Sequence, residues 1–340
     1  MGLDPDLAAF LELVEVGIST GAQPLHELPP SRAREQYDAS TLAIDCPGME
    51  VASVTSVNIP CRDGSQMRAR LYTPHTVASQ PYGGVSSPAL LYFHGGGYCV
   101  GSLDSHDSLC RALTALTPCC VVSVAYRLAP EHQFPTAVHD AQDAYLWLLS
   151  NAPAYSLDTQ HIAVGGDSAG GTLATGLTIA AREAGWQQPV LQVLLYPCTS
   201  AWQDTESHSR LAQGYLLEAP TLQWMFKNYL RNDADRMDWR FAPLEALDLS
   251  GLAPAFIALA EYDPLVDEGI SYAEKLKAAE VPTHLRVYGG MTHDFARLGN
   301  IVSEATQVRE DIARALESAF SKFNASEQPI ILRTLPQLLE

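Results

Sequence analysis

Basic residues are scarce in this chain: 21 lysines and arginines stand against 39 aspartates and glutamates, a formal charge of −18. Such a surface repels nucleic-acid phosphate and anionic lipid alike, so neither partner is expected. Long apolar runs are missing too. No stretch of 18 apolar residues could span a bilayer and no basic-then-apolar signal opens the chain, so a soluble, cytoplasmic protein without membrane insertion is expected. Cysteine is sparse and unpatterned, with seven in all, including the adjacent Cys119 and Cys120 in an apolar stretch. An odd count without regular spacing argues against a disulfide framework or a Cys-x-x-Cys zinc site, and for small buried hydrophobes. No internal repeat is present. What remains is an ordinary globular composition, 47% apolar and 18% charged over 340 residues, enough for one domain with an insertion or for two domains.

Against this plain background one stretch stands out, Gly166-Asp167-Ser168-Ala169-Gly170. Ile162 to Gly165 before it reads as a buried strand, and Leu173, Ala174, Leu177 and Ala181 after it recur at helical spacing. Strand, Gly-x-Ser-x-Gly, helix is the context of a nucleophile elbow, where a strained serine needs glycines two residues away on either side. The pattern alone arises by chance in about one chain of this length in ten. His94-Gly95-Gly96-Gly97 directly follows the apolar strand Leu90 to Phe93, and it is far rarer by composition. Main-chain N–H groups of such a glycine run converge on a small volume; with the N–H of Ala169 they would form an oxyanion hole.

In chain order, Asp4 and Pro5 read as the cap and first residue of a helix carrying Leu7, Phe10, Leu11 and Val14, and a short polar helix is expected from about Ser31. Alternation from Val51 to Tyr72 across the turn at Asp63-Gly64 predicts an antiparallel strand pair. The Pro-, Ser- and Gly-rich stretch from Pro74 to Pro88 reads as a surface loop. From Ala89 the rhythm becomes apolar strands alternating with amphipathic helices, which predicts a parallel sheet covered on both faces. Strands are expected at 89–93, 120–125, 162–165, 191–196, 255–260 and 284–287. Helices are expected near 107–117, 136–150, 169–184, 268–279 and 302–323. Roughly 60 residues separate Tyr196 from Ala255, and they hold Trp202, Tyr215, Leu216, Trp224, Met225, Phe226 and Tyr229. This is too much apolar surface for a loop and predicts a helical cap over an acyl or alkyl pocket, with Trp202, Leu216 and Met225 as candidate substrate contacts. The plainer alternative is that these side chains only pack the cap to the body.

A serine hydroxyl needs a base, and the base needs an orienting carboxylate. His293 follows the strand expected to end at Val287, across a Gly289-Gly290 turn. His26, His75, His106 and His208 fall in polar N-terminal, loop or cap segments, and His132, His139 and His161 precede the elbow, against the Ser, acid, His order of such folds. For the acid, Glu261, Asp263 and Asp267 all follow the strand Phe256 to Leu259. Asp263 is favoured because it sits in the turn itself, before Pro264, whereas Asp267 suits a helix cap. Asp140 and Asp143 with His139 have the look of metal ligands, but they surround a helix whose apolar side is Val138, Ala141, Tyr145 and Leu148; a solvated or capping role is expected and no metal site.

These motifs, with Gly101-Ser102-Leu103-Asp104, Tyr126 to Glu131, Tyr262 to Gly269 and Gly290 to Phe295, resemble the bacterial hormone-sensitive-lipase family of α/β-hydrolases, in its Gly-Asp-Ser-Ala-Gly branch. The resemblance implies an α/β-hydrolase fold, a mostly parallel central sheet flanked by helices, with a helical cap. It implies carboxylesterase action on short or medium acyl esters without metal or organic cofactor. By position, Ser168 is the nucleophile, Asp263 the acid and His293 the base. Gly96, Gly97 and Ala169 are the oxyanion donors, with Gly95 shaping that loop, and Arg127 and Glu131 brace loops beneath. The expected divisions are cap helices over 1–50, core over 51–198 and 246–325, a cap insertion over 199–245 and a tail over 326–340 that covers an edge or meets a second subunit in a homodimer. Small amides or lactones on the same triad remain alternative substrates. A non-catalytic receptor is a further alternative, disfavoured because Ser168, Asp263 and His293 are all present.

Overall fold

In this computed structural model residues 2–75 and 86–326 are described, with side chains as far as residue 321; most of the loop expected from Pro74 to Pro88 and residues 327–340 of the tail lie outside them. The strands are β1 (Ser53–Pro60), β2 (Gln66–Thr73), β3 (Ser87–Phe93), β4 (Cys120–Val124), β5 (Leu157–Asp167), β6 (Gln192–Leu195), β7 (Ala255–Tyr262) and β8 (Thr283–Thr292). They form one sheet in the order β1-β2-β4-β3-β5-β6-β7-β8. β2 pairs antiparallel with β1 and β4, and every other pairing is parallel. The middle strands read as unbroken apolar runs because both faces are covered. Along β3, Ala89, Leu91 and Phe93 enter one core while Leu90 and Tyr92 enter the other, as the period of two requires.

The helices that supply those two cores are α3 (Asp107–Leu116), α4 (Thr136–Asn151), α5 (Ala169–Ala184), α8 (Val266–Ala278) and α9 (Glu304–Ser326). Leu148 of α4, Leu177 of α5 and Leu276 of α8 pack on one face, and Leu113 of α3 and Ile312 of α9 on the other. Ahead of the sheet lie α1 (Pro5–Ser19) and α2 (Pro30–Ile44), and between β6 and β7 lie α6 (Glu206–Arg210) and α7 (Ala219–Tyr229). Asp4 caps α1 as expected, its Oδ1 accepting from the N–H of Asp6 and Leu7. Tyr229 of α7 stacks on Tyr98 at 3.8 Å between centroids and meets Phe134 and Phe241. Tyr229 thus packs the insertion to the body.

Two expectations are corrected here. β8 does not end at Val287: it runs to Thr292 because β7 also continues, past an irregularity after Ala260, to pair Tyr262 with Thr292. The Gly289-Gly290 pair is thus inside the strand, where Gly290, at φ +74°, accepts the N–H of Asp4, and a Cβ there would lie 3.0 Å from Asp4 N. His106 and His208, assigned to polar segments, are both buried.

The order of strands reverses at β3, whose successor β4 lies on one side and β5 on the other. In open α/β sheets ligand sites form at such a switch, beyond the carboxyl ends of the strands.

Candidate active site

Ser168 closes β5 and opens α5, at φ 51°, ψ −123°. The left-handed φ is costly for a residue with a Cβ and is sustained by the surrounding turn: the Ser168 N–H donates to Leu195 O and its carbonyl accepts from Thr172 N. The flanking glycines have hard steric reasons. A Cβ on Gly166 would lie 2.4 Å from the Gly170 carbonyl carbon, and one on Gly170 would lie 1.9 Å from Phe93 O. The turn presents Ser168 Oγ to His293 Nε2 at 3.0 Å. His293 Nδ1 is in turn 2.7 Å from Asp263 Oδ2, whose other oxygen accepts the Leu265 N–H at 2.9 Å. With Nδ1–H donated to the carboxylate, Nε2 is left to accept from the serine hydroxyl. Burial pushes the His293 pKa down, but the charge and hydrogen bond of Asp263 outweigh it and the net value lies above that of a free imidazole. The competing carboxylates point elsewhere: Glu261 accepts the N–H of Gly290, and Asp267 accepts that of Ser207 in α6.

The loop after β3 is anchored from below. The His94 ring stacks on Tyr126 at 4.3 Å, its Nδ1 lies 2.7 Å from Gly95 O, and Tyr126 OH donates to His94 O. Gly95, expected to shape this loop while Gly96, Gly97 and Ala169 donate, has its own N–H engaged within the protein. That N–H donates to Asp167 Oδ1 at 3.0 Å, and a Cβ there would strike Asp167 Oδ2. Gly96 and Gly97 follow at φ 107° and 57°, and their N–H groups engage no acceptor among the described residues. The Ala169 N–H, first in α5, has no intrahelical partner either.

Asp167 is a buried carboxylate beside the site that the motif did not announce, since the second position of Gly-x-Ser-x-Gly reads as variable. It is fully buried and also accepts from Tyr92 OH at 2.7 Å and faces His106 Nε2 at 3.1 Å. Burial raises its carboxyl pKa, but the charge and hydrogen bond of His106 and the Tyr92 bond outweigh that, leaving it well below the ordinary carboxylate range. On the other flank, buried Arg297 binds Thr41 of α2 at 2.6 Å and Asp294, the residue after His293, at 3.2 Å, so α2 is pinned beside the histidine.

The three candidate substrate contacts occupy different settings. Met225 is pressed on the glycine loop, its sulfur where a Gly97 Cβ would be. Leu216, at φ 69°, is half-buried against the core that holds Tyr196. Trp202 is 43% exposed and lies under the Arg236 guanidinium at 5.4 Å, a cover that accounts for it without substrate. A cavity of about 550 Å³ lies at the opposite ends of β6 to β8, lined by Leu191, Ala255 and Thr283. Cys61, Asp140 and Asp143 lie close together, but Asp140 is paired with Arg127 at 2.6 Å and Asp143 with Arg62 at 2.7 Å. Carboxylates so committed fit guanidinium better than a metal ion.

A strained serine in line with a histidine and a buried aspartate, beside unpaired N–H groups at the carboxyl end of a parallel sheet, defines a hydrolase site of the nucleophilic kind. The chain belongs to the α/β-hydrolase fold family, in its hormone-sensitive-lipase-like branch, and the match covers residues 90–297. It is 45% identical to an ethyl acetate hydrolase of Pseudomonas putida over 93% of this chain and 99% of that one. It is 38% identical to the carboxylic ester hydrolase LipN of Mycobacterium tuberculosis, over 94% and 84% of the two chains. Among solved structures it resembles an ester hydrolase from the metagenome of Lake Arreo, determined with a bipyridine phosphonate derivative, with a TM-score of 0.89 and 35% identity over 94% and 99% of the chains.

Proposed function

We propose that this chain is a serine carboxylesterase acting on short- to medium-chain acyl esters through an acyl-enzyme at Ser168. The observation that carries this is the continuous line Asp263–His293–Ser168 at the elbow. His293 Nε2 takes the hydroxyl proton as Ser168 Oγ attacks the ester carbonyl, and the N–H groups of Gly96, Gly97 and Ala169 receive the oxyanion. His293 then protonates the leaving alcohol, and water repeats the sequence on the acyl-enzyme, releasing the acid. Asp263 holds the imidazole in the useful tautomer and stabilises the imidazolium. No step needs a metal or organic cofactor.

Residues 1–50 and 199–245 are read as the cap, with Met225 bordering the pocket over Gly97. The name of one relative, an ethyl acetate hydrolase, supports the short-chain end of the range. All seven cysteines are free thiols, which supports a reducing, cytoplasmic setting. Among the described residues no helix is long and apolar enough to cross a membrane.

The direct test is hydrolysis of p-nitrophenyl esters from acetate to palmitate, with and without EDTA. Turnover should be greatest on the short to medium chains and indifferent to chelation. A folded protein that turns over none of them would refute the esterase reading.

Asp167 enters this scheme as the anchor of the oxyanion loop. Replacing it with asparagine puts an amide N–H₂ where His106 or Gly95 now meets an acceptor, so the glycine loop loses its grip on the elbow. The expected loss in kcat is about 10- to 100-fold, less than the 10²- to 10³-fold for removing a donor outright. A phosphonate transition-state analogue should lose affinity by a similar factor. A rise in KM with kcat unchanged would show that Asp167 does not act through the loop.

A further inference from the structure

Glu268 is a buried carboxylate that the reaction scheme leaves unused. It lies in the first turn of α8, five positions beyond Asp263, and is 1% exposed. One oxygen accepts the N–H groups of Thr199 and Ser200, at the point where the chain leaves β6 for the insertion. The other lies 3.2 Å from His208 Nε2 of α6, an ion-pair distance without hydrogen-bond geometry, and neither of these two atoms has a hydrogen-bond partner among the described residues. The His208 ring is itself held at Nδ1 by Thr205 Oγ1 at 2.7 Å.

The same junction is stitched on both sides of this pair. Ser207 Oγ donates to Pro264 O at 2.7 Å, and Ser207 N donates to Asp267 Oδ2 at 2.8 Å. Pro264 directly follows Asp263, so α6 is bonded to the turn that carries the carboxylate facing His293. Burying an ionisable pair is costly, and a hydrophobic contact of the same volume would serve stability as well. What the pair adds is fixed geometry. Burial pushes the Glu268 carboxyl above its usual range despite the lowering pull of His208 and of the Thr199 and Ser200 N–H groups.

We propose that His208 and Glu268 form a clip between the cap and the acid turn, with Glu268 a positioning residue for Asp263 and, through it, for His293. This rests on the reading of Asp263 as the acid of the triad. Movement of α6 is thereby transmitted to the acid turn, so the cap sets the alignment of the catalytic line as well as the shape of the pocket.

The test compares Glu268→Gln, His208→Gln and the double variant with Asp263→Asn, measuring kcat, KM and the pH dependence of kcat/KM on p-nitrophenyl acetate. Each single change should lower kcat by about 10- to 100-fold, the scale of a small misplacement of reacting groups. KM should stay within about threefold. The acid limb of kcat/KM should move to lower pH, in the direction of Asp263→Asn but less far, because a displaced Asp263 raises His293 less. The double variant should lose no more than the worse single one, since both break one contact. A lowered melting temperature with kcat and the acid limb at their wild-type values would overturn the proposal and leave the pair merely structural. Should Glu268→Gln not fold, His208→Gln decides, for it leaves the bonds to Thr199 and Ser200 in place. If Asp263→Asn itself changes neither kcat nor the limb, the triad reading fails; if it changes both while the pair variants change neither, only the clip fails.

Discussion

Ser168→Ala is expected to lower kcat by about a millionfold, the loss typical of removing a nucleophile from such a triad. What is left should be the about 10³- to 10⁴-fold advantage over water that an oxyanion hole and binding supply without the nucleophile. The fold should be unaffected, because among the described residues Ser168 Oγ is bonded to His293 alone while the backbone bonds to Leu195 and Thr172 survive. Stoichiometric labelling by a fluorophosphonate should disappear together with turnover. Ser168→Gly should be equally inactive but more stable than the alanine variant by about 1 kcal/mol, since relief of the strained φ of 51° outweighs the larger backbone entropy that glycine loses on folding. Equal stability of the two would argue that the elbow stores no strain. Retention of even one hundredth of wild-type turnover by either variant would sink Ser168 as nucleophile.

The parts of this site that could be read from sequence are those whose cause is local. Gly166 and Gly170 are demanded by atoms within a few residues of the elbow or at the end of the neighbouring strand, so the motif carries its own steric explanation. The same holds for the apolar strands of the sheet, where burial on both faces leaves a continuous run. Asp167 was not legible, because its partners Gly95 and His106 lie 72 and 61 positions away and only the sheet brings them together. His106 and His208 failed for a related reason. Their neighbours in sequence are polar, and their burial comes from α2, α8 and the elbow packing over them. The glycines at 289 and 290 read as a turn by composition, yet in the structure the continuation of β7 keeps them in the sheet and the N-terminal segment packs against Gly290. Gly95 is a subtler case: a loop-shaping part is readable from the glycine run, but what a side chain there would strike, the Asp167 carboxylate, comes from 72 positions away.

Asp263→Asn should cost about 10⁴-fold in kcat, because an amide can meet Nδ1 with either end and no longer enforces the tautomer that leaves Nε2 as acceptor. Its pH signature follows from the opposed influences on His293. In the wild type, burial lowers the imidazole pKa while the charge and hydrogen bond of Asp263 raise it further than burial lowers it. Removing that charge leaves burial opposed only by the more remote Asp294 and Asp167, so the pKa falls. Turnover needs neutral His293, so the acid limb of kcat/KM should lie above the ordinary imidazole value of about 6.5 in the wild type and move to lower pH in the variant. Stability runs the other way. A histidine whose folded pKa is raised contributes stability that is fully present below the unfolded value and is lost as pH rises through the folded one. The wild type should therefore exceed Asp263→Asn in melting temperature by more at pH 5.5 than at pH 9, while its advantage in rate is greatest where His293 is neutral. A limb that stays in place, or a stability difference that grows with pH, would mean that Asp263 is not the charge that tunes His293.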